Sequence, residues 1–521
     1  VYIIVIIPSL CIIIIYVNVK GIVGMEERMN KRFIINLTKV LIVVVFIVGF
    51  AFYFGRPKEV SSGADTIVRL QAYDLLGYYL TNSNSEVKID KDISQIYDSY
   101  YVQRKGLADS KYVSLESVSH PGHFLRNDNN ILTLSESDGS ADFKENATFK
   151  KVSGLASSAY ASFQTYKDSK LYMKVKDGKC IFEEISGTSD KKDATFKLYS
   201  TTSTMTNPRD TDRDKADPYV YSHTDGYYYG MHTYTVDGAY TPKLIMYKSR
   251  NLSDLFNTEG KIIWTAPDFG WNTENIWAPE LHYIDKVWYI YYSGGGKTGV
   301  LKNTSADPTT GTWIDAGRLY VEDADDWAID GTILRQNGSL YFLWSGITPS
   351  DPGVQKIFIS KMSSPTSLTG KRVELSRPSF SWEQQGTNGV YNVNEGPSVL
   401  QHNGKTFVTY SASFCSTQYY CLGMLTCDSK SDPLVASNWT KSEKPVFQAS
   451  EENGLWGVGH NSFVKSKNDD SYWIIYHAMM SPNNYAPRMV SMQRFTWNGD
   501  GTPNFGIPVG RYNPIPKPNG E

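Results

Sequence analysis

Three carboxyl residues in the C-terminal part of this 521-residue sequence stand at matching positions ahead of strand–turn–strand patterns. Asp217 lies nine residues before Gly226, Asp330 eight before Gly338 and Glu395 nine before Gly404. His460 lies ten before Asp470, and Trp277 nine before Lys286. A protonated carboxyl paired with an ionised one can cleave a glycosidic bond: the first protonates the leaving oxygen, and the second activates water or attacks the anomeric carbon. A third carboxylate nearby raises the acid's pKa by like-charge repulsion. Any one of these residues alone is more simply a turn former. Three in register are harder to explain that way. Gly331 and Gly396, which follow Asp330 and Glu395, fit backbone that a ligand approaches closely. Such chemistry requires no cofactor, and this part of the chain holds no G-x-x-x-x-G-K-[ST], H-E-x-x-H or G-x-S-x-G motif to support a rival one.

The elements that must position these residues are readable from repeats. Five segments share a strand, a tight turn and an aromatic-rich strand: PYVYSHTDGYYYGMH, PELHYIDKVWYIYYS, GTILRQNGSLYFLWS, GPSVLQHNGKTFVTYS and NSFVKSKNDDSYWIIYH. Each reads as a hairpin. Their turn residues Gly226, Lys286, Gly338, Gly404 and Asp470 are spaced by 60, 52, 66 and 66. Blades of that length predict a five-bladed β-propeller over residues 201–515, whose innermost strands start at one central mouth. Glu280 falls out of register and reads as structural. The 36 Tyr, 22 Phe and 12 Trp agree with an all-β chain.

A second repeat precedes the propeller. KGLADSKY at residue 105 recurs as SGLASSAY at 153, and NATF at 146 recurs as DATF at 193. A fainter copy, VRLQA, starts at Val68. Three copies of about 45 residues predict a β-trefoil over residues 67–200. Farther upstream, residues 1–28 are an apolar segment that fits an over-long translation start or a membrane segment. Residues 29–55 have the charged start and apolar core of a signal peptide or N-terminal membrane anchor, and 56–66 form a linker. The soluble part is therefore expected outside the cell, secreted or anchored to the membrane. In that setting Cys415 and Cys421 are candidates for a disulfide. With 52 Lys plus Arg against 54 Asp plus Glu, and no long basic run after residue 60, nucleic acid is not an expected partner.

ADPYV at 216, WAPEL at 277, WAIDGT at 327, NEGP at 394, GHN at 459 and the closing RMVSMQRFTWNGDGTPNFGIP resemble glycoside hydrolase family 43 in residues and order. The resemblance implies a propeller that inverts the anomeric carbon. Asp217 would be the general base, Glu395 the general acid and Asp330 the residue that orients Glu395 and tunes its pKa. It also implies sugar contacts from Arg488, stacking from Trp277, and a structural calcium ion on the axis near His460, held through water. Inversion places the carboxyls of Asp217 and Glu395 about 6.5–9.5 Å apart. The trefoil, through HPGHFLRN, SESDGSADF and the two ATF tetrads, resembles the arabinofuranose-binding carbohydrate-binding module family 42. Its pocket histidine reads Asn82, Asn127 and Val175 here, and its pocket aspartate Asp98, Asn146 and Asp193. The first repeat, with Asn82 and Asp98, keeps the most of a pocket. Together these resemblances imply a monomeric exo-acting α-L-arabinofuranosidase on arabinose-containing plant cell-wall polysaccharide, arabinan or arabinoxylan. A β-xylosidase or endo-arabinanase is the runner-up, and a non-catalytic polysaccharide-binding lectin the alternative of a different class.

Overall fold

The computed structural model describes residues 65–521 apart from 84–85, 92, 94, 210–213, 321–326, 387–391 and 512. Ahead of residue 65 it describes only the backbone of an antiparallel strand pair, Tyr2–Val5 with Ile13–Tyr16. The signal or anchor segment 29–55 and the linker up to residue 64 lie outside the described residues. Among the described residues no helix is long and apolar enough to cross a membrane.

Twelve strands between Thr66 and Thr201 fall into three sets of four, beginning at Thr66, Val113 and Ala161. The last strand of each set pairs with the first of the next, and Phe196–Thr201 returns to Thr66–Ala72 to close the circle. The middle hairpins meet one another through Glu86–Thr133, Ile131–Ile181 and Lys88–Lys179. This is a β-trefoil. Its core repeats by threes, with Leu70, Leu115 and Phe163 in one layer and Tyr101, Phe149 and Phe196 in another. The recurring motifs hold each other: the amide of Ala108 in GLA donates to Thr148 Oγ1 of ATF at 3.0 Å, and Ala156 does the same to Thr195. Gly106 and Gly154 are needed there, because a Cβ would stand 2.4–2.5 Å from the carbonyl oxygen of Asp109 or Ser157.

The propeller has five four-stranded blades, whose inner strands are Lys215–Ser222, Trp277–Ile284, Ala328–Gln336, Asn392–His402 and Trp456–Lys465. Alternating aromatic and aliphatic side chains bury the blades against each other. All five turn residues used as markers have positive φ, from 55° to 89°. At Asp285-Lys286, Asn337-Gly338 and Asn403-Gly404 both turn residues do, as two-residue type I′ hairpins demand. The ring closes where Asn207, ahead of blade 1, exchanges hydrogen bonds with the backbone of Met492 in blade 5.

Trefoil and propeller belong to one unit of the fold. Ile67, Ile96, Tyr97, Val102 and Val118 share an apolar cluster with Val464, Trp473, Val490 and Ile515. The Arg494 amide donates to Tyr97 Oη at 2.8 Å, and Asn513 Nδ2 donates to Val118 O.

Candidate functional site

Each inner strand starts with a β-bulge, and the bulged residue has positive φ: Asp217 (58°), Ala278 (43°), Asp330 (57°), Gly396 (53°) and His460 (45°). These five are the true equivalents around the ring. Glu395 and Trp277 sit one position earlier, level with Ala216, Ile329 and Gly459. Counting back from the turns puts Glu395 and Trp277, each nine residues ahead, level with Asp217, because the turn of blade 1 has five residues where those of blades 2 and 4 have two.

The second strand of each blade caps the bulge of the next. Thr233 Oγ1 accepts from the Ala278 amide (2.8 Å), Ser293 Oγ from Asp330 (3.0 Å), Ser411 Oγ from His460 (2.8 Å) and His477 Nδ1 from Asp217 (3.1 Å). The Gly396 amide is the exception: Asp330 Oδ2 takes it at 3.0 Å. That bond ties Asp330 to the residue after Glu395. Gly396 is required by the His460 ring, which a Cβ would meet at 3.0 Å, and Gly331 by the Phe342 ring. Both glycines therefore make room for side chains, not for a ligand.

Asp217 is the ionised member of the site. Burial would raise its pKa, but His460, with Nδ1 3.1 Å from Oδ1, and Arg488 at 3.9 Å outweigh it and hold the carboxyl far below the usual range. Thr233 Oγ1 also donates to Oδ2 at 2.6 Å. His477 approaches Oδ1 to 3.5 Å, yet its Nδ1 lone pair is taken by the Asp217 amide, so this contact is not an ion pair. Burial pushes His477 down to about 4 and keeps it neutral. His460 behaves oppositely: burial lowers its pKa, and Asp217, Asp330, Glu395 and Glu280 more than restore it.

Asp330 and Glu395 form the proton-holding pair. Burial, reinforced by the charges of Glu395 and Asp217, pushes Asp330 up to about 7 against the pull of His460. Glu395 is raised by burial, with Asp217 adding to it, against His460 and two hydrogen bonds. Those bonds come from Tyr420 Oη to Oε1 (2.9 Å) and from Gln355 Nε2 to Oε2 (2.7 Å). Like charges this close share one proton near neutrality. Asp330 receives a backbone N–H, which can only donate, whereas the Tyr420 hydroxyl can turn and accept.

Asp217, Asp330, Gln355, Glu395, His460 and Arg488 line one pocket of about 500 Å³, together with Tyr240, Trp277, Trp327, Ile329, Ile347, Val393, Phe414 and Cys415. Trp277 lies edge-on to Tyr240, and its buried indole N–H has no hydrogen-bond partner among the described residues. Arg488 Nη2 donates to Tyr240 Oη at 3.0 Å. Glu280 stands outside the pocket lining, bonded to His282 Nε2 at 2.9 Å. Among the described residues no three His, Cys, Asp or Glu side chains could hold a metal together. His460 commits Nδ1 to Asp217, so only its Nε2 and water would face an ion. Calcium takes oxygen ligands, which water would have to supply there. Cys415 and Cys421 are free thiols. Cys415 lines the pocket while Cys421 packs in the cluster between blades 3 and 4, so the expected disulfide does not form.

The trefoil residues Asn82 and Asp98 are buried, 1 % and 7 % exposed. Asn82 Oδ1 accepts from Tyr101 Oη at 3.3 Å, and Nδ2 lies 3.4 Å from His120 Nδ1. Asp98 precedes the strand that docks on blade 5, its Oδ1 lacks a partner among the described residues, and burial pushes its pKa up to about 6, a bond from Ser119 opposing. A folded-state pKa above the unfolded one means that ionisation opposes folding as pH rises through about 6. Asp98→Asn is expected to raise thermal stability at pH 7.5 by about 2–3 kcal/mol and to add nothing below about pH 4. Melting curves at both pH values test this.

Residues 206–503 match Glycosyl hydrolases family 43, and residues 68–198 match the Alpha-L-arabinofuranosidase B (ABFB) domain. The chain is 39% identical over 319 residues to the extracellular exo-alpha-(1->5)-L-arabinofuranosidase of Streptomyces avermitilis, covering 59% of this chain and 64% of that protein. It is 35% identical over 308 residues to alpha-L-arabinofuranosidase 43 of Humicola insolens, covering 57% and 62%. The matches thus span under two thirds of either relative. The crystal structure of an alpha-L-arabinofuranosidase from Lactobacillus brevis superposes with a TM-score of 0.55 at 35% identity, over 59% of this chain and 97% of that one. The family match takes in every bulge that carries Asp217, Asp330, Glu395 and His460, so by sequence and by architecture the chain belongs to glycosyl hydrolases family 43.

Proposed function

We propose that the chain hydrolyses glycosidic bonds with inversion, releasing L-arabinofuranose from the ends of arabinan or arabinoxylan outside the cell, as a monomer. One observation carries this reading: an ionised carboxylate, Asp217, shares a pocket with a carboxyl pair, Asp330 and Glu395, that holds a proton. Glu395 protonates the leaving oxygen. As the bond lengthens, the anomeric carbon gains positive character and a water held by Asp217 becomes acidic enough to give up its proton to a weak base. Arg488, beside Asp217, fits sugar hydroxyls. Residues from all five blades wall the pocket, which favours a chain end over a passing chain. The names of the relatives support arabinofuranose as the sugar.

Release of aglycone from an aryl α-L-arabinofuranoside, with the β-anomer of arabinose formed first by NMR, is the expected result. Cleavage of an aryl β-D-xyloside alone would move the assignment to the β-xylosidases, internal cuts in linear arabinan to the endo-arabinanases, and binding without any release to a lectin. The pH profile carries a further expectation. With Asp217 ionised throughout, kcat/KM shows no ascending limb above about pH 4 and falls as pH rises through the titration of the pair. Asp330→Asn removes the neighbouring charge, lowers the pKa of Glu395 and moves that falling limb to lower pH.

A further inference from the structure

We propose that blade 4 carries a second carbohydrate-binding site, on the face where the catalytic pocket opens, which holds a neutral stretch of the polysaccharide whose end is being cut; this rests on the polysaccharide reading above. A cavity of about 210 Å³ is lined by Trp382, Gln385, Gln418, Tyr419, Pro445 and Gln448 among others, and none of the described lining side chains is charged. Three connections form it: residues 381–386 ahead of the inner strand of blade 4, residues 413–420 between its second and third strands, and residues 442–455 ahead of blade 5. All lie at the strand ends where Glu395 and His460 begin their blades. Residues 413–420 are the wall between the two sites: Phe414 and Cys415 face the catalytic pocket, while Gln418 and Tyr419 face the second cavity.

The lining chemistry selects a sugar. Aromatic side chains offer flat apolar surface to sugar C–H groups while tolerating a wet edge. Tyr419 is 49% exposed. A side-chain amide gives a donor and an acceptor together, matching adjacent hydroxyls. Those of Gln418 and Gln448 bond to no described residue. Without a lysine or arginine, nothing in the lining would select a phosphate or uronate over a neutral ring. The wall is already fixed: the Phe414 amide donates to Gln385 O (3.2 Å), Gly457 to Gln418 O (3.2 Å) and Tyr485 to Ser416 O (2.7 Å). Trp382 is pinned by its Nε1 bond to Glu443 O at 2.9 Å. A chain held here keeps its end at high effective concentration over the catalytic pocket.

The test compares the full chain with Gln448→Ala and with Tyr419→Ala/Gln448→Ala. On an aryl α-L-arabinofuranoside, kcat and KM stay as in the parent; on polymeric arabinan, KM rises by about tenfold in the double variant, with kcat unchanged. In an Asp217→Asn background, retardation in an arabinan-containing gel weakens in the same order. Unchanged KM and retardation on the polymer overturn the site, as does an equal loss on both substrates by Gln448→Ala, whose side chain is exposed and lies outside the lining of the catalytic pocket. Retardation that weakens in the variants while the parent cleaves no arabinofuranoside keeps this site and discards the catalytic reading.

Discussion

Glu395→Gln is expected to slow cleavage of arabinan linkages by about 10³–10⁴-fold in kcat while costing an activated aryl glycoside about tenfold or less. The asymmetry follows from the acid role. A sugar alkoxide cannot leave unprotonated, whereas a nitrophenolate can. Glutamine keeps an oxygen for one of the two donors, Tyr420 and Gln355, so the pocket holds its shape while the transferable proton is gone. Steady-state kinetics on both substrates decide the matter, and an equal loss on each would show that the group protonating the leaving oxygen is elsewhere.

Asp217→Asn produces the opposite pattern. The expected loss is about 10³–10⁴-fold on every substrate, whatever its leaving group, because activation of water is then missing from a step common to all. The substitution also removes the anion beside His460 and Arg488, the first at 3.1 Å and the second at 3.9 Å. His460 loses the foremost of the charges that keep its pKa raised, and Arg488 is left buried without its partner carboxylate. A fall in the His460 pKa by NMR titration and a lower melting temperature should accompany the kinetic loss. Retained kcat on aryl glycosides would remove Asp217 from the base role.

Asp217, Asp330, Glu395 and His460 were legible in the sequence because each stands a nearly constant distance before a turn that needs positive φ, and turn chemistry is local. The offset of Glu395 by one position was not, since it depends on strand pairing that gives blade 1 a five-residue turn and blade 4 a two-residue one. Thr233, Ser293, Ser411 and His477 recur opposite the residue before each bulge. That recurrence was available as a signal, but four short polar residues in aromatic strands draw no notice until the capping bonds are seen. Gln355 and Tyr420 come from the third strand of blade 3 and the loop of blade 4, and nothing local announces that they meet Glu395. The trefoil repeats gave the three-part fold, while the burial of Asn82 and Asp98 depended on side-chain contacts with Tyr101, His120 and Ser119, which no repeat encodes.

The bulge ring has a use for anyone wishing to alter this protein. Of its five equivalent positions, three carry ionisable side chains, one is a glycine held to that size by the His460 ring, and Ala278 alone presents only a methyl group. Its backbone already has the left-handed conformation that Asp217 and Asp330 adopt, and its amide is already capped by Thr233. Asparagine or aspartate tolerates that conformation better than most residues. Ala278 is therefore the ring position whose backbone conformation and capping bond already match those of Asp217 and Asp330 while its side chain is only a methyl group.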